Sequence, residues 1–169
     1  MPERETVQRA QGDAREGKSP STQAGEFVRE EIHHIREGKH GARSTKQAIA
    51  IGLSKARRAG VELKPPAAGK SSERTRRSAA RDYARGHGAQ PARTSRTKRS
   101  RASQNALKRE GSQAASAKSL ARQAHDAASH RSPAQRAASA KRAVSTKGPV
   151  MRSAAARKAA HTRSLREGT

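Results

Sequence analysis

The sequence predicts an all-α protein: a small N-terminal αα-hairpin followed by a largely disordered or marginally helical Ala/Arg/Lys-rich tail. Three observations predict it. Residues 21–64 carry two stretches with apolar side chains at three- and four-residue steps, the spacing of one helical face. Bulky apolar residues (Val, Ile, Leu, Met, Phe, Tyr) number 11 in residues 1–64 but only 7 in the remaining 105, too few to offset the chain entropy of an ordered tail. The net charge of +24 splits as +4 over residues 1–64 and +20 over residues 65–169, which sets a long cationic tail apart from a small helical head.

Residues 1–20 read as a flexible segment with one weak helix, since Val7 is its only bulky apolar side chain beyond Met1. Gly12 to Ser19 matches the spacing of a phosphate-binding loop, but no apolar strand feeds it and Pro20 follows directly, so nucleotide binding is not expected.

Residues 21–64 form the hairpin. Ser21 or Thr22 caps the first helix, with Pro20 just outside it. Ala24, Phe27, Val28, Ile32 and Ile35 make its apolar stripe, and Gly38 suits the left-handed position that closes a helix. The second helix opens on Ser44 and Gln47, spaced as a capping box. Ile49 and Leu53 lead its inner stripe, Ala48 and Gly52 keep one flank small, and Gly60 ends it. The expected hairpin core is therefore Phe27, Val28, Ile32, Ile35, Ile49 and Leu53. A turn of six residues, Gly38 to Arg43, is too long for a DNA-reading helix-turn-helix.

Residues 65–103 read as a basic linker and residues 104–169 as a basic low-complexity tail with short helices. Arg74, Arg77, Arg81 and Arg85 recur along one side of a candidate helix from Ser72, a charged ridge and not a core face. Ser132-Pro133 and Gly148-Pro149 are spaced as helix starts.

No catalytic arrangement emerges, and no cofactor or small-molecule substrate is expected. Glu30, His33, His34 and His40 lie close in sequence, but no cysteine or second spaced histidine pair completes a closed metal set. Glu30 and His34 read as a surface pair, with no metal. No apolar run is long enough for a membrane span, and Glu3, Glu5, Asp13 and Glu16 argue against a transit peptide. A cytoplasmic protein follows, at the nucleoid in a bacterium.

The charge asymmetry is the electrostatic footprint of a polyanion binder. The expected partner is nucleic acid, DNA before RNA, held through backbone phosphates by a nucleoid-associated protein without catalysis. An RNA- or ribosome-associated role is the first alternative, and a protein adaptor acting through the hairpin the second. The candidate contacts in the hairpin are Lys39, Arg43, Lys46, Arg57 and Arg58, with Lys39, Arg43 and Lys46 around a turn where a phosphate could meet free N–H groups. In the tail they are Arg76, Arg77, Arg81, Lys98, Arg99, Arg101, Lys108 and Arg109. A single Tyr, Tyr83, is no stacking platform for single strands. The hairpin is also the expected surface for self-association.

The stretch GEFVREEIHHIREGKHGARSTKQAIAIGLSKARRAG within residues 1–66, with RSRAS and ALKREG between residues 99 and 111, resembles a family of small basic bacterial proteins of unknown function. Its members often carry DNA-binding labels. The resemblance implies no catalytic residues. The tail is also similar in composition to linker-histone tails.

Overall fold

The computed structural model describes residues 2–89 and 96–167. By its contacts the chain divides into two compact units, residues 1–123 and 124–169. No described helix is long and apolar enough to cross a membrane.

In the first unit α1 (Arg4–Arg15) packs on α2 (Pro20–Arg36), α2 on α3 (Thr45–Arg58), and α3 on α4 (Glu73–Gly86). Next come α5 (Arg96–Lys108), a 3₁₀ turn (Gln113–Ala115) and α6 (Ala117–Ser129), and the division between the units falls inside α6. The 3₁₀ turn packs on both α2 and α3.

The local signals explain the helix ends. Ser19, not Ser21 or Thr22, is the N-cap of α2, which places Pro20 inside the first turn, where its missing N–H costs nothing. Gly38 adopts φ +73 beyond the last turn of α2, and Lys39 N donates to the His34 carbonyl at 3.0 Å. Ser44 Oγ accepts from Gln47 N at 3.2 Å, while Gln47 Oε1 reaches back to Arg43 N at 2.8 Å, one residue earlier than in a standard capping box.

Two apolar clusters fill the first unit. One joins Ile32, Ile35, Ala42, Ala48, Ala114 and Ala115, with Val28 and Leu120 against it. The other joins Ala10, Ala24, Phe27, Ala56 and Val61, with Val7, Leu53 and Leu63 against it. On α3 the enclosed stripe is Thr45, Ala48, Gly52 and Ala56, with Arg57 also buried at its end; the stripe is one residue out of phase with Ile49 and Leu53, which are half-buried. Small residues face α2 because the two backbones nearly touch: a Cβ at Gly52 would lie 2.6 Å from the Val28 Cα. Glycine is required there by the close approach and not by a turn.

The expected architecture, a small hairpin with a largely disordered tail, is overturned: the described chain is helical over most of its length and well ordered beyond Pro66. Two kinds of contact anchor the segment from residue 67 to the 3₁₀ turn. Ala79, Ala114 and Ala115 are buried. Backbone carbonyls of that segment accept from the hairpin: Thr45 Oγ1 donates to Ala114 O at 2.7 Å and Arg36 Nε to Ala115 O at 2.9 Å. A count of bulky apolar residues misses both, because alanine contributes through close approach and a carbonyl contributes from any residue. The same reason brings α1 onto α2, through Thr6 and Ala10, despite its single bulky side chain.

At the α3–α4 boundary Tyr83 Oη donates to Glu62, and His87 stacks on Tyr83 with ring centroids 4.0 Å apart. His87 Nδ1 donates to the Tyr83 carbonyl at 2.8 Å, and Nε2 lies 2.6 Å from Glu62 Oε1. Both ring nitrogens face acceptors, so the hydrogen bond to Tyr83 O and the one to Glu62 hold the imidazole pKa above its ordinary 6.5. A raised pKa contributes stability that is complete below the unfolded value and is lost as pH rises through the folded one. Melting temperature across pH 5.5 to 8.5 (a window of about one unit below and two above an ordinary histidine) is therefore expected to fall with pH more in the native protein than in His87→Asn. Parallel profiles would refute this role.

The second unit is dominated by α7 (Pro133–Glu167), two helical stretches meeting at Gly148, whose φ of +62 breaks the helix before Pro149. Ser132 and Gln135 cap its start reciprocally, Gln135 N to Ser132 Oγ at 3.2 Å and Ser132 N to Gln135 Oε1 at 3.1 Å. Val144, Val150, Met151 and Leu165 all stand exposed, so no described side chain of α7 forms a core.

Candidate functional site

Charge is handled differently in the two units. In the first, most acids face a local base, although Lys/Arg outnumber Asp/Glu there by 28 to 12. Arg9 bonds Glu26 at 2.7 Å, and Asp82 takes Ser54 Oγ and lies 3.7 Å from Arg58 Nε. Arg76 makes a two-bond fork on Glu73, each bond 2.9 Å. In the second unit residues 127–166 contain ten Lys/Arg and no acid at all. The described side chains of that stretch are exposed, apart from Gly148.

Most of the cations expected to meet phosphate are already engaged. Lys39 lies between Glu37 (3.0 Å) and Glu3 (3.4 Å), and these carboxylates raise its pKa. Arg57 is not a surface cation. It is buried, donates to the Leu63 carbonyl at 3.0 Å, and loses some basicity to that burial. It closes the C-terminal end of α3 against the chain that follows. Arg43 is exposed and 3.5 Å from Glu110, Arg77 is 3.6 Å from Glu73, and Arg81 bonds Ser78 Oγ at 3.0 Å. Lys46, Arg101, Lys108 and Arg109 are exposed. The side chains of Lys98 and Arg99 lie outside the described residues. The structure brings Lys39 and Lys108 to one shallow cleft beside His40, but it does not gather the thirteen into a single patch.

The turn expected to hold a phosphate is occupied by the chain itself. Gly41 N donates to Leu107 O at 2.9 Å, Ala42 N to Gly111 O at 3.2 Å, and Arg43 N is taken by Gln47. A Cβ at Gly41 would lie 1.9 Å from the Glu110 carbonyl oxygen, so this seal is tight.

Of the expected hairpin core, Phe27 and Ile35 are fully enclosed, Ile32 is buried, and Val28, Leu53 and Ile49 are partly covered.

The densest chemistry lies between the two apolar clusters, at Glu30 and Glu31 of α2. Their side chains are 2% and 0% exposed, so Glu30 and His34 are not a surface pair. Lys55 of α3 serves both carboxylates, its Nζ 2.7 Å from Glu31 Oε2 and 3.1 Å from Glu30 Oε1. The backbone N–H of Glu3, at the start of α1, donates to Glu30 Oε2 at 3.1 Å. Burial alone would raise the Glu30 pKa, but bonds from Thr6, Glu3 N and Lys55 outweigh it and hold the pKa below the ordinary value. Glu31 differs. Neither of its oxygens accepts a directed hydrogen bond, although Lys55 and His40 Nε2 (3.2 Å from Oε1) sit at ion-pair distance. His34 Nε2 bonds Glu3 Oε1 at 2.8 Å.

Sequence reasoning missed this node and named no cation of α7 among the candidate contacts, although it read helix starts at Pro133 and Pro149. A signal existed for each. Glu31 is four residues from both Phe27 and Ile35, inside the apolar stripe of α2, and the acid-free run from 127 to 166 is visible in the sequence.

Residues 21–66 match a family of unknown function (DUF6496). The matched span holds α2, the turn and α3; the resemblance read over residues 1–20 and 99–111 lies outside it. No curated protein and no solved structure matches the chain.

Proposed function

We propose that the protein binds nucleic acid, duplex DNA foremost, through backbone phosphates, with little dependence on base sequence and no catalysis. The observation that carries this reading is α7, two exposed helical stretches lying, Glu167 apart, within residues 127–166, a 40-residue run with ten Lys/Arg and no acid. No described side chain of it forms a core, and its one acid, Glu167, stands at its far end. A polyanion supplies the missing partner, and released counterions supply the driving force. The first unit, whose acids are mostly engaged by its own bases, serves as the folded anchor. With duplex DNA as the partner, the location proposed in a bacterium is the nucleoid.

The test is a salt titration of duplex binding by the full chain and by a variant with Arg136, Lys141, Arg152, Arg157, Lys158 and Arg163 all changed to Gln. Each lost phosphate contact removes about 0.9 from the slope of log affinity against log salt, so the slope should shrink by about 5. An unchanged slope would sink the reading. Stronger competition from structured RNA than from duplex DNA would move the partner class to RNA.

A further inference from the structure

We propose that Glu31, His34 and His40 hold a divalent transition-metal ion of the zinc type, at the junction of α2 with the α2–α3 turn. One ligand atom from each of the three lies within 4.8 Å of the other two. The assignment is separate from nucleic-acid binding and rests on charge and geometry.

Charge comes first. Glu30 and Glu31 are both enclosed and share one ammonium, that of Lys55. The node is therefore one negative charge in excess, and a buried unpaired charge is costly. At the mouth Glu3 is met by Lys39, so that pair supplies no surplus cation. Something positive must complete the node.

Geometry says where. His40 Nδ1 faces the Gly41 carbonyl at 3.1 Å, which makes Nδ1 the donor and leaves a lone pair on Nε2. That lone pair faces Glu31 Oε1 at 3.2 Å. Two acceptors pointing at each other require a cation between them. Ligand bonds of about 2.0–2.1 Å at a tetrahedral angle set neighbouring ligand atoms about 3.3 Å apart, which this pair already matches. His34 repeats the pattern: Nε2 donates to the Glu3 carboxylate at 2.8 Å, which leaves Nδ1 as the ligating nitrogen. A histidine whose outer N–H is fixed by a carboxylate or carbonyl is the usual second layer of a metal site. Glu31, 0% exposed and with no directed hydrogen bond on either oxygen, is the third ligand.

The donor set selects the metal. Two imidazoles and a carboxylate suit zinc, cobalt, nickel or copper, whereas magnesium and calcium take oxygen. His34 and His40 are partly exposed, on clefts that Lys39 also lines, so water can enter and fill the remaining position.

The test uses tag-free, chelator-treated full-length protein and the metals alone. Zinc is expected to bind at one equivalent and raise the melting temperature with concentration. Cobalt should give visible absorption of a low-coordinate site, and magnesium should do neither. His34→Gln and His40→Gln should each weaken zinc binding at least about tenfold. Both should still fold in chelator, because the Lys55 bridge to Glu30 and Glu31 is untouched. His33→Gln, on the exposed side of α2, should change nothing. One-equivalent binding that survives both variants overturns the proposal. So does an absence of zinc and cobalt binding, with protons found by nitrogen NMR on both ring nitrogens of His40: the bridging cation would then be a proton.

Discussion

Replacing Lys55 with Met is expected to destabilise the folded protein by about 3–5 kcal/mol, the scale for removing one partner of a buried ion pair. The side chain is 15% exposed and, among the described residues, its ammonium is the only one within reach of two carboxylates that are 2% and 0% exposed. Methionine fills a similar volume, so the loss reports charge and not a cavity. Domains of this kind are stable by about 5–15 kcal/mol, so the variant should lie near the edge of folding. Urea unfolding measured by circular dichroism, in chelator, reads the change as a lower midpoint at unchanged slope. Adding Glu31→Gln to Lys55→Met should recover part of the loss, because it removes the stranded charge. A loss below about 1 kcal/mol, the worth of a surface pair, would show that the node is wet and that its acids are protonated or solvated.

Cutting the chain after Pro66 is expected to cost roughly 4 kcal/mol, while cutting it after Arg131 leaves the first unit intact. The shorter fragment contains both helices of the family match but loses what covers them. Thr45, Arg36, Gly41 and Ala42 each donate to a carbonyl between residues 107 and 115, and each such bond contributes about 1 kcal/mol net. Ala79, Ala114 and Ala115 leave the core as well, and Arg57 loses the α4 side of its enclosure. The fragment ending at Arg131 keeps α1 to α6 whole. Thermal melts should show the same main transition for the full chain and residues 1–131, and a broad, lowered one for residues 1–66. A sharp, unshifted transition for residues 1–66 would return the fold to a self-sufficient hairpin.

Legibility in the sequence followed the strength of local chemistry. Ser44 and Gln47 announce the start of α3, and Gly38 the end of α2, because capping and a positive φ are decided by neighbours in the chain. The α3 face was harder. Ile49 and Leu53 are larger than Ala48 and Gly52, so periodicity favours them, yet helix approach at Val28 rewards the smaller pair. The basic residues show the same limit. Arg57 and Arg58 are indistinguishable by composition, but one is enclosed against Leu63 and the other stands beside Asp82.

By itself the sequence determined α2 and α3, the Gly38 stop and the Ser44 cap between them, the lack of any bulky core beyond residue 66, and the unopposed positive charge in residues 127–166. These depend on nearest neighbours or on totals, and need no knowledge of the fold. Only the tertiary structure decided that α1, α4 and the segment around Ala114 close over the hairpin, that the turn is sealed, and that Glu31 is enclosed beside His40 and Lys55. The physical reason is common to all three. Alanine surfaces, backbone carbonyls and single carboxylates carry no periodic signal, and their energy is set by the partner that the fold brings from elsewhere in the chain.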